Sequence, residues 1–393
     1  MVPVSVDRTW IFSQLFGPKG DFMKVRAAAL LSAPGKYETI EVELDGPRQN
    51  EVLIRVVAAG LCHSDDHIAT GDLQVGKYPV VGGHEGAGVV EEVGPNTTGV
   101  EVGDHIVFSF MPVCGRCRWC STGHQNLCDL GALLLAGSRY DDPTSYRMTH
   151  QGESVGQMCG TSTFAEYTTV DVRSIVVIPR DIPLDVACLV GCGVITGWGS
   201  AVNAAQTGPG DVVIVMGVGG IGINAVQGAL HSGAAQVIAA DPVAYKREFA
   251  TSIGATAAFA SIEEAADYAR SQTNGQGADS TILTTGVTTG EHIAQGFASI
   301  RKAGTLVVAG FGNPAAVGVP VSGPELVLYQ KRIQGAIFGM ANPTYDIPRT
   351  LDLYRQGTIK LDELISRRYS LDEVAQGYVD MHAGLNIRGI VTF

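Results

Sequence analysis

The strongest constraint on the fold is an uncharged stretch: from Val212 to Ala240 the chain contains no Asp, Glu, Lys or Arg. A run of this length could span a membrane. Six glycines interrupt it, however, and Asn224, Gln227 and His231 lie inside it. The run therefore predicts a strand, a turn, a helix and a second strand that are buried on both faces.

Strand and helix patterns continue to alternate after this stretch. Such alternation predicts an α/β architecture with a doubly wound parallel sheet and helices on both faces. Residues 24–110, in contrast, contain short apolar runs between Gly and Pro, which favour a β-barrel. We predict strands at Asp211–Met216, Gln236–Asp241, Ser280–Thr284, Thr305–Ala309 and Gly389–Phe393, and helices at Ile221–His231, Tyr245–Ile253 and Glu291–Arg301.

The length of 393 residues favours two domains. The pattern changes near residue 194 and changes back after about residue 338. We predict a parallel-sheet domain at residues 194–337, inserted into a β-barrel domain made of residues 23–193 and 338–393. Residues 1–22 lack the basic start and apolar core of a signal peptide, and we interpret them as an N-terminal extension.

The net charge of −12 limits the possible partners. An acidic surface repels phosphate backbones and anionic lipids, so we expect neither a nucleic acid nor a membrane partner. The eight cysteines occur without a secretory context that would support disulfide bonds. These features predict a soluble, cytoplasmic protein.

A glycine motif, Gly217-Val-Gly219-Gly220-Ile-Gly222, follows the first buried strand and opens the helix. In such motifs the first glycine forms the turn, the second admits a pyrophosphate and the third packs helix on strand. The helix N-terminus attracts phosphates through its free N–H groups. Asp241 ends the next strand, where a carboxylate accepts hydrogen bonds from a ribose and repels a 2′-phosphate. The motif predicts a dinucleotide site that prefers NAD to NADP.

Four cysteines lie close together in the sequence: Cys114, Cys117, Cys120 and Cys128. Four thiolates can complete a tetrahedral Zn²⁺ shell, and a shell without an open position is structural. The metal would supply the folding energy that this segment of low apolar content lacks. We therefore predict a structural zinc in a lobe at residues 114–128.

A second candidate metal set is scattered along the chain: Cys62 in GLCHSDDH, His84 in GGHEG and Cys192 in GCG. Two thiolates and an imidazole give zinc three protein ligands and leave a fourth position for water or substrate. Taken singly, each of these residues is also explained by core packing. Their joint interpretation depends on the rest of the chain.

Together these motifs resemble the zinc-dependent, medium-chain alcohol dehydrogenase family. The resemblance covers about residues 24–393 and includes GTSTFAEY, GCGVITGWGSA, GAIFG and IRGIVTF. It implies a GroES-like catalytic domain, a Rossmann coenzyme domain and two Zn²⁺ per chain, with the catalytic zinc on Cys62, His84 and Cys192. The segment CGRCRWCSTGHQNLCDLGA is similar to that of actinobacterial members assayed with nitrosoaniline dyes, which hold NAD tightly.

The resemblance also implies roles for single residues. Ser64 matches the hydroxyl that meets the alcohol, and His67 matches the group that passes its proton to solvent. Asp65 would contact His84 and fix its ring, and Glu85 would lie behind the zinc. Positions that match cofactor contacts are His63, Thr196, Lys246 and Arg388, of which Lys246 and Arg388 could also be ordinary surface charges. We interpret the other histidines as structural or surface residues: His105, His124, His150, His231, His292 and His382.

The matched substrate-pocket positions are apolar: Leu73, Phe110, Met158 and Cys159. They predict broad use of small-molecule primary alcohols and aldehydes, and poor use of anionic substrates. Glutathione-dependent formaldehyde dehydrogenases carry an Arg soon after the fourth structural Cys, where this chain has Leu130-Gly-Ala-Leu-Leu-Leu. That activity remains an alternative, as does a zinc-free quinone or enone reductase of the same fold. Family members are dimers or tetramers, so we expect a homo-oligomer.

Overall fold

The computed structural model describes residues 22–393. The predicted N-terminal extension therefore lies outside the described residues, apart from Phe22, which already begins the first strand. The strands are β1 (Phe22–Leu30), β2 (Glu38–Asp45), β3 (Glu51–Gly60), β4 (Val80–Val81), β5 (Glu85–Val93), β6 (His105–Phe108), β7 (Met148–His150), β8 (Glu153–Gln157), β9 (Tyr167–Asp171), β10 (Ile175–Ile178), β11 (Val212–Met216), β12 (Gln236–Ala240), β13 (Ala257–Phe259), β14 (Ala278–Leu283), β15 (Ile300–Val308), β16 (Arg332–Gly335), β17 (Ile365–Tyr369) and β18 (Arg388–Thr392).

The helices are concentrated in the second half of the chain. A π-helix at Ser200–Ala204 continues directly from α4. The α-helices are α1 (His63–Thr70), α2 (Arg118–Ser121), α3 (Leu184–Ala187), α4 (Gly193–Gly199), α5 (Gly222–His231), α6 (Ala244–Ile253), α7 (Ile262–Gln272), α8 (Gly290–Ser299), α9 (Gly323–Leu328), α10 (Pro343–Arg355) and α11 (Val374–His382).

The first part of the chain forms the predicted β-structure. Strands β1, β2, β7, β8 and β4 close into a barrel, and a second sheet has the order β10-β6-β5-β3-β18-β17, with β9 also paired to β3. Alternation explains the barrel core, because Met23, Val25 and Ala27 of β1 point inward while Lys24 and Arg26 are exposed. Cys62 follows β3 of the second sheet, and His84 lies in the loop between β4 of the barrel and β5 of the second sheet.

A six-stranded sheet follows, in the order β13-β12-β11-β14-β15-β16, and every neighbouring pair in it is parallel. All five residues of β11 are buried, as expected for a strand covered by helices on both faces. The strand order reverses between β11 and β14, and ligands bind at such a reversal in open α/β sheets. The predicted doubly wound architecture is confirmed.

Two features of this sheet differ from the prediction. The helix predicted to end at Arg301 ends at Ser299, because Ile300 pairs with Ala278 and is buried in the sheet. The sequence interpretation also missed β13 and α7, which lie between the second and third predicted strands.

The chain leaves the parallel sheet and returns to the first region at its end. Strand β18 pairs with β3 through Ile390 and Gly60, and β17 pairs with β18. The division at residues 193/194 and 337/338 stays a prediction. Among the described residues no single helix has the length and apolar composition to cross a membrane, although the bent pair Leu184–Gly191 and Gly193–Ala204 meets that test by length and composition only.

Candidate active site

The three predicted ligands of the catalytic zinc come together from distant loops. Cys62 precedes α1, His84 precedes β5, and Cys192 precedes α4. Together with Glu85 they form a buried cluster in which one ligand atom from each residue lies within 4.8 Å of all the others. A hydrogen bond with Cys192 lowers the pKa of Cys62 well below its ordinary value, although burial opposes the shift. The set thus presents two cysteine sulfurs and an imidazole ring.

Asp65 fixes the orientation of His84. Its Oδ2 lies 2.9 Å from Nδ1 of His84, and its Oδ1 accepts a hydrogen bond from the Gly83 amide at 2.7 Å. Both side chains are buried, and Nε2 of His84 has no hydrogen-bond partner among residues 22–393. A buried, unpartnered imidazole nitrogen beside two sulfurs fits a borderline-soft cation such as Zn²⁺.

Glu85 connects this cluster to the opposite side of the site. It accepts a buried hydrogen bond from Arg388, the first residue of β18. Burial raises the pKa of Glu85 to about 8 even though Arg388 opposes the shift. A Cβ at Gly193 or at Gly220 would overlap Arg388, so the guanidinium fills the space between the cysteine cluster and the glycine motif.

The four-cysteine lobe forms a separate cluster. The side chains of Cys114, Cys117, Cys120 and Cys128 also meet within 4.8 Å. Backbone amides of Cys120 and Asp129 lower the pKa of Cys117 to about 6. Main-chain N–H groups pointing at sulfur are typical of a loop arranged around thiolates, and four sulfurs leave no open position for substrate.

A cleft of about 550 Å³ extends from Cys62 to Asp241 between the two regions. It lies at the reversal of strand order in the parallel sheet. Of the predicted site residues, it is lined by Cys62, His63, Ser64, His67, Gly217, Gly219, Gly220, Asp241, Lys246 and Arg388.

The glycine motif has the shape that a dinucleotide requires. A Cβ at Gly219 would meet nothing within 4 Å, so the backbone there is open to the cleft. A Cβ at Gly222 would overlap the carbonyl oxygen of Gly217, which keeps this position to glycine at the contact of helix and strand. Gly222 and Thr196 do not line the cleft; Thr196 is buried in α4.

Asp241 is held in place by the backbone. Its two carboxylate oxygens accept hydrogen bonds from the amides of Val218 and Val243, each at 2.9 Å. The side chain is buried, yet it lines the cleft. Each carboxylate oxygen has a further lone pair, so this fixed anion can still accept a hydrogen bond from a ribose hydroxyl.

Two candidate proton-transfer groups occupy the metal end of the cleft. Ser64 Oγ lies 3.7 Å from Cys62 Sγ. His67, one turn further along α1, is buried, and its Nε2 lies 3.3 Å from the carbonyl oxygen of Gly286. The hydroxyl therefore lies beside the ligand cluster and the imidazole lies across the cleft from the parallel sheet.

The four predicted pocket residues pack into one apolar cluster, with Leu134 and Leu135 against it. Phe110 meets the ring of His84 edge-on at 5.5 Å. The backbone of Cys159 has a φ of +51° and is held by hydrogen bonds from its amide to Leu134 and from the Tyr140 hydroxyl to its carbonyl. Through Phe110 this apolar cluster adjoins His84, but the four side chains do not line the 550 Å³ cleft.

Several cleft residues escaped the sequence interpretation. His292, interpreted as structural or surface, lines the cleft and also caps α8 with Thr289. Gly286 and Phe311 close the cleft opposite α1. Both residues lie in loops that have no recognisable sequence motif. The order of strands in the sheet brings these loops to the site.

Known proteins of the same architecture are closely similar. Models of the alcohol dehydrogenase GroES-like domain and of the zinc-binding dehydrogenase match residues 48–180 and 220–356. An NDMA-dependent alcohol dehydrogenase of Amycolatopsis methanolica is 52% identical, over 94% of this chain and 99% of that protein.

Solved structures agree with this similarity. An alcohol dehydrogenase zinc-binding domain protein from Burkholderia ambifaria is 31% identical, with a TM-score of 0.88 over 95% of this chain and 100% of that one. Benzyl alcohol dehydrogenase from Acinetobacter calcoaceticus is 28% identical, with a TM-score of 0.86 over 94% and 99%. The chain therefore belongs to the zinc-binding alcohol dehydrogenases, enzymes that interconvert alcohols and aldehydes with zinc and NAD(P).

Proposed function

We propose that this enzyme transfers hydride between primary alcohols and NAD, with a preference for long-chain and benzylic alcohols. The observation that carries this proposal is the single cleft that joins the Cys62, His84 and Cys192 cluster to the carboxylate of Asp241. A metal-binding end for an alcohol oxygen and a ribose-binding end for a dinucleotide thus belong to one cavity.

The proposal includes two zinc ions per chain. Cys62, His84 and Cys192 would hold the catalytic ion, because His84 offers an unpartnered nitrogen to two sulfurs. That ion, when bound, supplies a Lewis acid that lowers the pKa of an alcohol. The four-cysteine lobe would hold the structural ion.

Two residues of the chain would transfer the hydroxyl proton of the alcohol to solvent. Ser64, beside the ligand cluster, is placed to accept the hydroxyl proton of the alcohol. His67 is placed to release a proton from the cleft toward solvent, since one ring nitrogen faces the cleft and the other faces the exposed Asp72. Removing the proton leaves the oxygen with the electron pair that favours loss of hydride to the nicotinamide.

Asp241 supports NAD as the cofactor. A 2′-phosphate beside this buried anion would suffer charge repulsion, whereas a ribose hydroxyl would donate a hydrogen bond to it. Lys246 lines the same end of the cleft and is our candidate for a second ribose contact, and Arg388 and His63 are our candidates for the pyrophosphate.

The apolar cluster supports the substrate preference. Phe110, Met158 and Cys159 adjoin the ligand cluster without a basic side chain among them. Leu134 and Leu135 pack on this cluster, in the segment where glutathione-dependent relatives carry an Arg. A long or benzylic alcohol would bury more apolar area here than ethanol.

We further propose a homodimer formed through the edge of the parallel sheet. All four residues of β16 are exposed at that edge, and Val327 and Leu328 of the neighbouring α9 are 73% and 75% exposed. An unpaired sheet edge beside exposed apolar side chains associates readily with a second copy about a two-fold axis. Light scattering should give twice the mass of 41.2 kDa, and Val327→Lys with Leu328→Lys should give the monomer.

We also propose a cytoplasmic location, because six cysteines must stay reduced to bind zinc.

The test is kcat/KM for ethanol through octanol, for benzyl alcohol and for S-hydroxymethylglutathione, with free NAD and with a nitrosoaniline dye as alternative acceptors. We expect up to about fourfold per added CH2 until the pocket is full, which corresponds to about 0.8 kcal/mol. Phe110→Ala should flatten this series, whereas Phe249→Ala in α6, which belongs to neither the cleft lining nor the apolar cluster, is the matched control. Preference for the glutathione adduct would contradict the proposal, and turnover with the dye alone would show that NAD stays bound.

A further inference from the structure

A tight turn brings a carboxylate onto the ring of His67. Helix α1 ends at Gly71, whose φ of +86° reverses the chain. Oδ2 of Asp72 then lies 3.2 Å from Nδ1 of His67 and accepts a hydrogen bond from the Thr70 hydroxyl at 2.9 Å. The Leu73 amide donates to the His67 carbonyl at 2.9 Å, which closes the turn.

The two partners differ sharply in exposure. The side chain of His67 is 3% exposed, whereas that of Asp72 is 44% exposed. The second ring nitrogen of His67, Nε2, faces the cleft beside the carbonyl oxygen of Gly286. The imidazole thus connects the interior of the cleft to a carboxylate in contact with solvent.

The groups that surround His67, apart from Asp72, lie on its own helix and on the loops of the parallel sheet. On its own helix, His63 lies one turn earlier, and Asp66 is paired with His382 of α11 at 2.7 Å. From the parallel sheet, the Gly286 carbonyl and the ring of Phe311 face His67, and neither can titrate. Hydrogen bonds from Thr70 and His67 lower the pKa of Asp72, which keeps it ionised at neutral pH.

We propose that Asp72 is a positioning residue for proton transfer, which binds Nδ1 of His67 and thereby directs Nε2 into the cleft. During alcohol oxidation His67 would gain one proton at Nε2, and the carboxylate would stabilise the resulting imidazolium. The imidazolium would then lose its Nδ1 proton to water at the exposed carboxylate, and proton exchange with water would move the remaining proton from Nε2 back to Nδ1. This inference rests on the proposed role of His67 in releasing the proton.

The kinetic test is a double-mutant cycle of Asp72→Asn and His67→Gln, measured as the pH dependence of alcohol oxidation. We expect Asp72→Asn to lower kcat about 2- to 5-fold below pH 7, since partly exposed pairs are worth little more, and to have little effect at high pH, where hydroxide removes the proton. In the His67→Gln background, Asp72→Asn should have no further effect. Asp72→Glu should restore part of the rate.

Asp142→Asn is the matched control. Asp142 is also an exposed carboxylate bound by a threonine hydroxyl two residues away, with its pKa lowered in the same way, but it contacts no histidine among the described residues and does not line the cleft. We expect it to leave the pH profile unchanged. An Asp72→Asn effect that persists in the His67→Gln background would overturn the inference, because it would show a purely structural role.

A second measurement does not depend on turnover. In the purified zinc-loaded protein, ¹⁵N NMR of labelled histidine should show the proton of neutral His67 on Nδ1, assigned by its loss in His67→Gln. Asp72→Asn should reduce that preference, and Asp142→Asn should not. Equal tautomer populations in wild type and Asp72→Asn would contradict the inference. If instead His67→Gln leaves the pH profile unchanged, the proposed role of His67 fails while the tautomer result still decides whether Asp72 orients the ring.

Discussion

Arg388 donates a buried hydrogen bond to Glu85, a residue 303 positions earlier in the chain. The same guanidinium fills the space beside Gly220 and Gly193 and lines the cleft. One side chain therefore contacts both the predicted metal cluster and the predicted phosphate-binding turn.

We expect Arg388→Gln to weaken NADH binding by roughly 10- to 100-fold, the usual loss for a hydrogen bond to a charged group. The variant should also unfold at lower urea concentration, because it leaves Glu85 buried without its partner. Fluorescence titration and urea unfolding would measure the two effects. Arg368→Gln removes only an exposed pair with Asp185 and should change neither; unchanged NADH affinity in Arg388→Gln would exclude a cofactor role for Arg388.

Replacement of Asp241 should change the choice of cofactor. We expect Asp241→Ser to raise kcat/KM for NADP and to lower it for NAD, because repulsion of the 2′-phosphate and a ribose hydrogen bond are both lost. Asp241→Asn keeps the size of the side chain and removes only the charge, so it should give a smaller gain for NADP. Both variants should lose about 1 kcal/mol of stability per amide left unpaired at Val218 or Val243. A wild type that prefers NADP would show that Asp241 does not face the ribose.

The two predicted zinc sites should respond differently to substitution. Elemental analysis of the wild type should give two zinc ions per chain. Cys117→Ser should lose one of them together with most of the folding stability of the lobe, since a closed structural site contributes to folding. Cys62→Ser should lose the other ion and the activity, with a smaller change in unfolding midpoint. A wild-type content of one ion or none would rule out the two-site proposal.

Glu51 should make stability depend on pH. Burial would raise its pKa, but Arg147, the Arg48 amide and Arg139 outweigh burial and hold it below its ordinary value. A carboxylate with a lowered pKa stabilises the folded state above its unfolded pKa, about 4.3, and this contribution is lost as the pH falls through the folded value.

The substitution Glu51→Gln tests this cluster. We expect it to cost about 3–5 kcal/mol at pH 7, because the buried Arg147 loses its counter-ion and Arg139 keeps only Asp45. The difference from wild type should begin to shrink as the pH falls below about 4.3, where the unfolded chain takes up the proton, and should be lost as the pH falls through the lower folded pKa. Urea unfolding of both proteins across pH 3.5–7 gives this difference, and zinc loss at acid pH affects both alike. A difference independent of pH would show that packing and not charge stabilises the site.

The sequence predicted the parallel sheet well where burial dictates composition. The strands β11 and β12 differ from prediction by one residue at an end, because strands covered on both faces leave no place for charge. Strand β13 has three half-buried residues at the sheet edge and carries no such signal. Helix α8 ends before Arg301 because a sheet partner, Ala278, competes for Ile300, and local pattern does not report distant partners.

A cluster of candidate site residues could be predicted where its members lie close together in the sequence, as in the four-cysteine lobe. The three scattered residues proposed as ligands of the catalytic zinc, Cys62, His84 and Cys192, needed a family resemblance, since only the fold brings them together. The sequence analysis did not find Asp72 and His292, because their positions in the site also depend on the fold. Each depends on a turn or cap whose direction is decided by the three-dimensional structure.

The pairing of β18 with β3 has a consequence for synthesis of the protein on the ribosome. Residues Ala58–Gly60 of β3 precede Cys62 by a few positions, yet their partner strand is translated more than 300 residues later. Until β18 is translated, that part of the sheet has an unpaired edge, and Glu85 lacks its hydrogen-bond donor Arg388. The nascent chain therefore has an unpaired strand edge for most of its translation, and Glu85 gains its partner Arg388 only when the last strand docks.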